Sequence, residues 1–501
     1  MQFIDTQKEK TMMKKILCLL LALLMCMSAL LACTEEPEQQ PDQPEDPGKE
    51  DTPGEPGGEE SPWADDLPEM SMGGIELNFA YLDAGPVKSG CSIDAQAQNG
   101  DLINDAMYNR NTTIEERFDV NLTTEMFSGY AGLSVPLTPA LTSGSSDYDV
   151  LVGYEYFDIG LAATGMMYNF NNLDEQYIDI EKPWWSTTYI NSINYSDKLY
   201  WLTGDITLLH ISQIVAAYVN ASIYEEIALD GYGSIYDLVR DKEWTFEIMS
   251  EIAELAYVDM NGNDKYDRGD RFGYEQSLGV EMAYCAGIDS SRRDEDGNIT
   301  IAIDDEKTAD IMWYLSDIST ARYSTLEMTY EAQLKLFTSG EAMIYFRTFS
   351  TAEEETVREM EDDFYIVPVP LGDSLWSENY RSTCGTGNNI VGLPHTSLHL
   401  NEAAIVLEAL SAESNRSVSP TYYDIILKDR YTRDNDSKEM IDLIRDSVGA
   451  DFVNAWSYGY TDAYSFYATF DTSTVASRIA MHAPRWETIL DELLIKLDEL
   501  E

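Results

Sequence analysis

The sequence predicts an α/β fold. Two observations carry that prediction. From Gly74 onward the apolar pattern alternates between strand and helix periods in the order β-α-β-α-β, which argues a parallel sheet with right-handed crossovers. The 501 residues are also 44% hydrophobic and 11% aromatic, enough to bury a sizeable core across two or three domains.

The elements follow in chain order. Ile75 to Tyr81 (IELNFAY) alternates as a strand with one buried face. Asp101 opens a helical stretch with Ile103, Met107, Ile114 and Phe118 on one side. Val120 to Met126 is a second strand, Leu133 to Leu141 a short helix, and Tyr148 to Gly153 (YDVLVG) an apolar run suited to a buried parallel strand. Lys198 to Leu202 and Ile211 to Val219 are strand candidates in the middle of the chain. Thr245 caps a helix whose apolar face is Ile248, Met249, Ile252 and Leu255. Ala342 to Phe346 and Phe364 to Val369 are further strands, and Asn401 caps a helix over Ala403 to Leu410. Pro484 to Leu500 is amphipathic, with Pro484 suited to the first helical position and the apolar stripe docked on the body of the fold.

The charge balance excludes whole classes of partner. Lys and Arg total 32 against 90 Asp and Glu, a net charge of −58. Nucleic acids need cations to neutralise phosphate, so none is expected as a partner. Docking on anionic lipid through a basic patch is excluded on the same ground. Such a surface suits solubility outside a cell and neutral or cationic ligands. Only four His occur, which argues against a His-rich metal site. Beyond the leader, Cys91, Cys285 and Cys384 are widely spaced and odd in number; at most one pair bridges, and three buried thiols are expected.

Residues Ile16 to Ala32 form an unbroken apolar run behind Lys14 and Lys15, the pattern of an export leader. Its 17 residues fall short of the roughly 20 of a membrane span. Met12 or Met13 makes a better start than Met1. The run ends Leu30-Leu31-Ala32-Cys33, which resembles the bacterial lipoprotein box, with Leu31 the unusual residue at its place. Cys33 is then the lipidated residue, and residues 1–32 are the removed signal peptide. The alternatives are an ordinary cleaved leader or an uncleaved helix. Residues 33–73 are rich in acid, Pro and Gly and read as a disordered tether reaching roughly 35 Å or more.

Several motifs resemble, in order and spacing, those of the extracellular solute-binding proteins of ABC importers, family 1, the maltose-binding-protein-like group. The clostridial lipoprotein branch is the nearest likeness. They are Lys182-Pro183-Trp184-Trp185, Lys198-Leu199-Tyr200, Gly204-Asp205, Asp237-Leu238-Val239-Arg240 before Trp244-Thr245, and Phe337-Thr338-Ser339-Gly340-Glu341-Ala342. Phe364 to Pro370, Pro420-Thr421-Tyr422-Tyr423, Arg433-Asp434 and Met440-Ile441-Asp442 complete the set. The resemblance implies a two-lobe periplasmic-binding-protein-like fold of type II, with hinge strands between lobes and closure on a ligand. Crossings are expected near Ile211 to Ala217, near Ile366 to Val369 and after Leu410. One lobe is then 74–213 plus 369–414, the other 214–368 plus 415–501. It further implies a lipid-anchored receptor at the outer membrane face, a monomer, delivering a carbohydrate, above all an oligosaccharide, to ABC permease subunits.

Sugar rings stack on aromatic faces while their hydroxyls take planar polar side chains, and this chain holds 9 Trp and 32 Tyr. Ligands of open α/β sheets bind at the carboxyl ends of strands. That rule nominates Tyr81 and Asp83 after the first strand, Tyr154, Glu155 and Tyr156 after YDVLVG, and Arg347 after AMIYF. Asp205 before the first crossing and Asn388 with Asn389 in the CGTGNN loop are further candidates, with Trp376 and Trp456 as stacking faces. Most other aromatics, Trp184 and Trp185 included, read as core.

Asp259, Asn261, Asn263, Lys265 through its carbonyl, Asp267 and Asp270 fall at the ligand positions of an EF-hand calcium loop. Asp264 replaces the turn Gly and Asp270 the bidentate Glu. A structural calcium ion is expected there, with a solvated acidic turn as the alternative. No GxSxG, HExxH, P-loop or GxGxxG after a strand occurs, so no enzyme activity is expected. A lipid-anchored glycosidase, which needs only two carboxylates, and a surface scaffold remain the rival readings.

Overall fold

The structure is a computed structural model, and it describes residues 65–83, 93–128, 132–275, 279–303, 306–325, 329–372, 378–385, 388–428, 435–456, 466 and 474–500. Cys33 with the leader, most of the tether, Cys91 and Trp376 lie outside the described residues. Among the described residues packing is present from Asp65 onward, ahead of the expected Gly74. Asp65 forms a buried ion pair with Arg117, and Leu67 and Met72 are buried. The acidic, Pro-rich composition of this stretch hides those anchors.

The first half builds one sheet. β1 (Ile75–Asp83) is followed by α1 (Leu102–Phe118), β2 (Val120–Ser128), α2 (Ser134–Thr142) and β3 (Val150–Tyr154). β1 pairs in parallel with β2 on one side and β3 on the other. Leu77, Phe79 and Tyr81 pack with Ile114 and Phe118 of α1, whereas Ala80 and Leu82 enter the apolar cluster on the other face. That split is the two-residue period of a strand. Asp101 caps α1 by accepting from the amides of Ile103 and Asn104.

The chain continues through α3 (Thr187–Ile193), α4 (Leu208–Ser212), β4 (Val215–Asn220), α5 (Phe246–Ala256), β5 (Phe272–Glu275) and α6 (Val280–Cys285). A hairpin of β6 (Ser291–Arg293) and β7 (Ile299–Ile301) precedes β8 (Ser324–Thr325), β9 (Ala342–Thr348), β10 (Phe364–Val367) and β11 (Asn389–Gly392). β11 returns to the first sheet, giving the order β11-β3-β1-β2, while the second sheet runs β10-β4-β9-β5-β8. Every residue of β4 is buried, as its VAAYVN run requires. Thr245 caps α5 through the amide of Ile248. α5 approaches the second sheet so closely that a Cβ on Gly273 would lie 2.0 Å from the Ala253 carbonyl oxygen.

α7 (Leu400–Glu413), α8 (Ser419–Lys428), α9 (Asn435–Asp446), α10 (Phe452–Ala455) and α11 (Val475–Asp498) complete the fold. A π-turn over Ser414–Val418 joins α7 to α8. Among the described residues no helix is long and apolar enough to cross a membrane. Cys285 and Cys384 are free and buried.

Several local expectations are corrected. Lys198 to Leu202 is not a strand; the Asn194 side chain accepts from the amides of Tyr200 and Trp201, and only isolated bridges form. Helix α4 occupies the start of the expected strand over Ile211 to Val219, which begins at Val215. α7 starts at Leu400 behind His399, with Asn401 inside it. α11 starts at Val475 and runs through Pro484. Both Pro484 and Ala480 are exposed, so water reaches the carbonyl that the proline leaves without a donor.

Candidate functional site

Two passes of the chain between the sheets pair with each other. The Val215 amide donates to the Thr383 carbonyl at 3.0 Å, and the Gly385 amide to Gln213 at 2.9 Å. A third segment joins them: Ser382 donates to the Ser447 carbonyl, and Gly449 to that of Ser382. The return to the first sheet is therefore at residues 382–388, not near Ile366 to Val369. The intervening chain stays with the second sheet, where the Leu371 amide donates to Trp244 and the Tyr380 hydroxyl to Val239.

A cavity of about 60 Å³ lies above this crossing. Glu155 and Tyr156 reach it from the carboxyl end of β3, and Tyr189 from α3. Thr383, Cys384, Gly385 and Asn388 line it from the return pass. Glu281 and Tyr284 of α6 face them, with Asp451 and Asn454 beside α10. A larger cavity of about 380 Å³ lies beyond Thr188, lined by Trp184, Trp185, Asp205, His210, Asn415, Tyr423 and Arg445 among others.

Glu155 is the centre of the smaller cavity's polar wall. The Tyr189 hydroxyl and the Asn388 amide nitrogen both donate to its Oε2, each at 2.8 Å. Burial pushes the carboxyl up to about 7, against the pull of those two bonds. Because Asn388 donates with its nitrogen, its Oδ1 faces His210 Nδ1 at 3.0 Å, and that ring nitrogen carries the proton. Burial lowers His210 to about 4, so the ring is neutral at physiological pH. The Cys384 Sγ sits 3.3 Å from the same nitrogen, its thiol raised by burial.

In the larger cavity the Asp205 carboxylate accepts from Arg445 at 3.0 Å and from Asn415 at 2.5 Å. Burial raises Asp205 in spite of the arginine. Trp184 and Trp185 line this cavity yet are fixed from behind, their indole N–H groups donating to Glu408 at 3.0 and 2.7 Å.

The geometry invites comparison with known folds. No family model matches the chain, and no curated protein matches it. Solved structures do. The mannotriose-bound CpMnBP1 superposes with a TM-score of 0.53 at 14% identity, over 82% of this chain and all of the other (100%). Apo RafE from Streptococcus pneumoniae gives 0.51 at 11% identity over 83% and 98%. A cyclo/maltodextrin-binding protein complexed with maltotetraose gives 0.51 at 12% over 85% and 96%. The chain has the two-lobe, type II periplasmic-binding-protein-like fold.

Within this two-lobe fold the nominated residues divide. Glu155, Tyr156 and Asn388 meet in the smaller cavity and Asp205 lines the larger. Tyr81 is buried on the face toward α1, its hydroxyl donating to Asp94, and Asp83 is exposed at the end of β1. Tyr154 is half-buried against Phe157. Asn389 donates to the Gly153 carbonyl. Arg347 lies over the Tyr330 ring, 4.9 Å from its centre. Trp456 is buried, stacked on Phe452, with its N–H donating to Ile193. None of these six lines either cavity. Sequence reasoning missed Tyr189, Tyr284, His210 and Arg445. They come from four helices far apart in the chain and carry no local signature.

The acidic loop after α5 folds on itself. The amides of Gly262, Asn263 and Asp264 donate to the Asp259 carboxylate at 2.6, 3.3 and 2.8 Å. Asp264 takes the positive φ of 56° that the missing glycine would have supplied. The Asn261 side chain turns its nitrogen to Asp267 and Asp270. Lys265 is exposed. Among the described residues no three acidic, His or Cys side chains are gathered as a metal site.

Proposed function

We propose that the chain is a lipid-anchored receptor on the outer face of the cell membrane, binding a carbohydrate between its lobes and delivering it to an ABC importer. The observation that carries this reading is the cavity at the crossing segments, which takes Glu155 and Tyr189 from one lobe and Glu281 and Tyr284 from the other. A ligand touching both walls favours the closed state, and a permease reads that state. The sugar ligands of the matched mannotriose and maltotetraose complexes support the choice of cargo. The proposed lobes are then 65–213 with 385–414, and 214–384 with 415–500.

In this reading the lobes part about the 213–215 and 382–385 segments to admit the ligand and close on it. Lipidation at Cys33 and a calcium ion at Asp259 to Asp270 belong to the same proposal.

Melting the full chain against mono- and oligosaccharides tests it. A ligand at 100 times its Kd adds about 2.7 kcal/mol, a rise of a few degrees. A rise with one saccharide class and no turnover is expected. No rise with any saccharide refutes the cargo, and product formation makes the chain an enzyme.

A further inference from the structure

The two ring nitrogens of His210 have different company. Nδ1 faces Asn388 Oδ1 at 3.0 Å and the Cys384 sulfur at 3.3 Å, both residues of the smaller cavity's wall. Nε2 has no partner among the described residues, although the residue is only 5% exposed. His210 itself lines the larger cavity of about 380 Å³. With the proton on Nδ1, Nε2 is an acceptor with a free lone pair.

Arg445 brings the opposite chemistry to the same lining. Its Nη2 is committed to Asp205, and its guanidinium carbon lies 5.5 Å from the centre of the Tyr423 ring. Nε and Nη1 have no partner among the described residues, and the side chain is 32% exposed, so both N–H groups are open to a ligand. No residue lines both cavities, so this wall is distinct from the one around Glu155.

These free groups select the ligand. An unprotonated imidazole nitrogen takes only a donor, and a guanidinium gives only to an acceptor. A carboxylate would satisfy Arg445 and leave His210 unmet, and an ammonium would do the reverse. Neighbouring hydroxyls serve both, because each oxygen donates and accepts. Charge points the same way: Asp205 and Asp446 outweigh Arg445 on the lining, so an anion gains no net attraction. Trp184 and Trp185 add aromatic wall. At about 380 Å³ the cavity lies within the roughly 300–1,000 Å³ of small-molecule pockets, room for one or two sugar rings.

We propose that the larger cavity is a second binding site, separate from the smaller cavity, for a neutral sugar of one or two rings. One hydroxyl of that sugar donates to His210 Nε2, and a neighbouring oxygen accepts from Arg445. The inference concerns a different cavity from the receptor reading and does not rest on it.

Calorimetry on the full chain at pH 7 tests it with glucose, galactose, mannose, maltose and cellobiose, and with glucuronate as the charged control. At least one neutral sugar is expected to bind in an event that Arg445→Lys weakens about tenfold, the loss of a charge-assisted hydrogen bond while the Asp205 pair is kept. Ser186→Trp, which fills the cavity from its lining, is expected to abolish the same event. If S186W does not fold, R445K still decides the point. Binding that neither variant changes overturns the second site and leaves the receptor reading standing. Tighter binding of glucuronate than of glucose overturns the neutral class. No binding by any of the neutral sugars overturns the site, and the receptor reading then stands or falls on longer saccharides alone.

Discussion

Asn388 donates to Glu155 across 2.8 Å, and the two residues belong to different passes of the chain. Glu155 follows β3, while Asn388 is where the chain returns from the second sheet. The hydrogen bond thus ties the cavity wall to the crossing. Asn388→Ala leaves Glu155 with one donor and His210 Nδ1 with only the Cys384 sulfur beside it. The variant should lose about 1–3 kcal/mol in urea unfolding. Removing a bond that lowers Glu155 should also move the midpoint of any pH-dependent ligand binding upward from about 7.

Burial holds Glu155 and Glu408 at about 7, and Asp158 and Asp451 at about 6. The folded chain keeps these protons at pH values where the unfolded chain has released them. The stability they carry is full below their ordinary values and is lost as the pH rises through 6 and 7. His210, held near 4, acts the other way and costs stability as the pH falls below 6.5. Four groups oppose one, so Tm should fall between pH 5 and 8.

Glu408 offers a second test of that account. Glu408→Gln leaves one of the two indole N–H groups without an acceptor, a loss of about 1–3 kcal/mol. It should also flatten the fall of Tm across pH 6 to 8. Tryptophan fluorescence during unfolding reads both effects.

The Asp205–Arg445 pair joins the segment after Gly204 to α9, with Asn415 of the π-turn as a third member. Asp205 is 4% exposed and Arg445 32%. Asp205→Ala strands a partly solvated arginine, so the cost should be about 2–3 kcal/mol, below that of a fully buried pair. Replacing both as Asp205→Leu with Arg445→Met should recover part of it, read from denaturation midpoints.

Calcium should raise the Tm of the full chain by a few degrees at saturation, and Asp259→Ala should abolish the rise. An unchanged calcium effect in that variant places any ion elsewhere.

Legibility in the sequence followed solvent exposure. β1, β2 and β9 have alternating or continuous apolar runs bounded by turns, and their positions agree with the reading within a few residues. The N-caps at Asp101 and Thr245 were readable because each bonds only its own first turn. Pro484 misled because its cost depends on whether water reaches Ala480, which is a tertiary fact. Lys198 to Leu202 misled because a side chain, Asn194, replaced the strand partner. In the cleft, the strand-end rule found Glu155 and Tyr156 but also named Tyr81, whose side chain faces the opposite side of its sheet. Cavity residues such as Tyr284 and Arg445, on helices distant in sequence, carry no pattern until the fold brings them together.

Closure on a saccharide is read most directly by solution scattering of the full chain. Saturating saccharide is expected to lower the radius of gyration, with the change lost in Asn388→Ala at equal ligand. A saccharide that binds tightly while the radius of gyration stays constant would contradict closure as the mechanism.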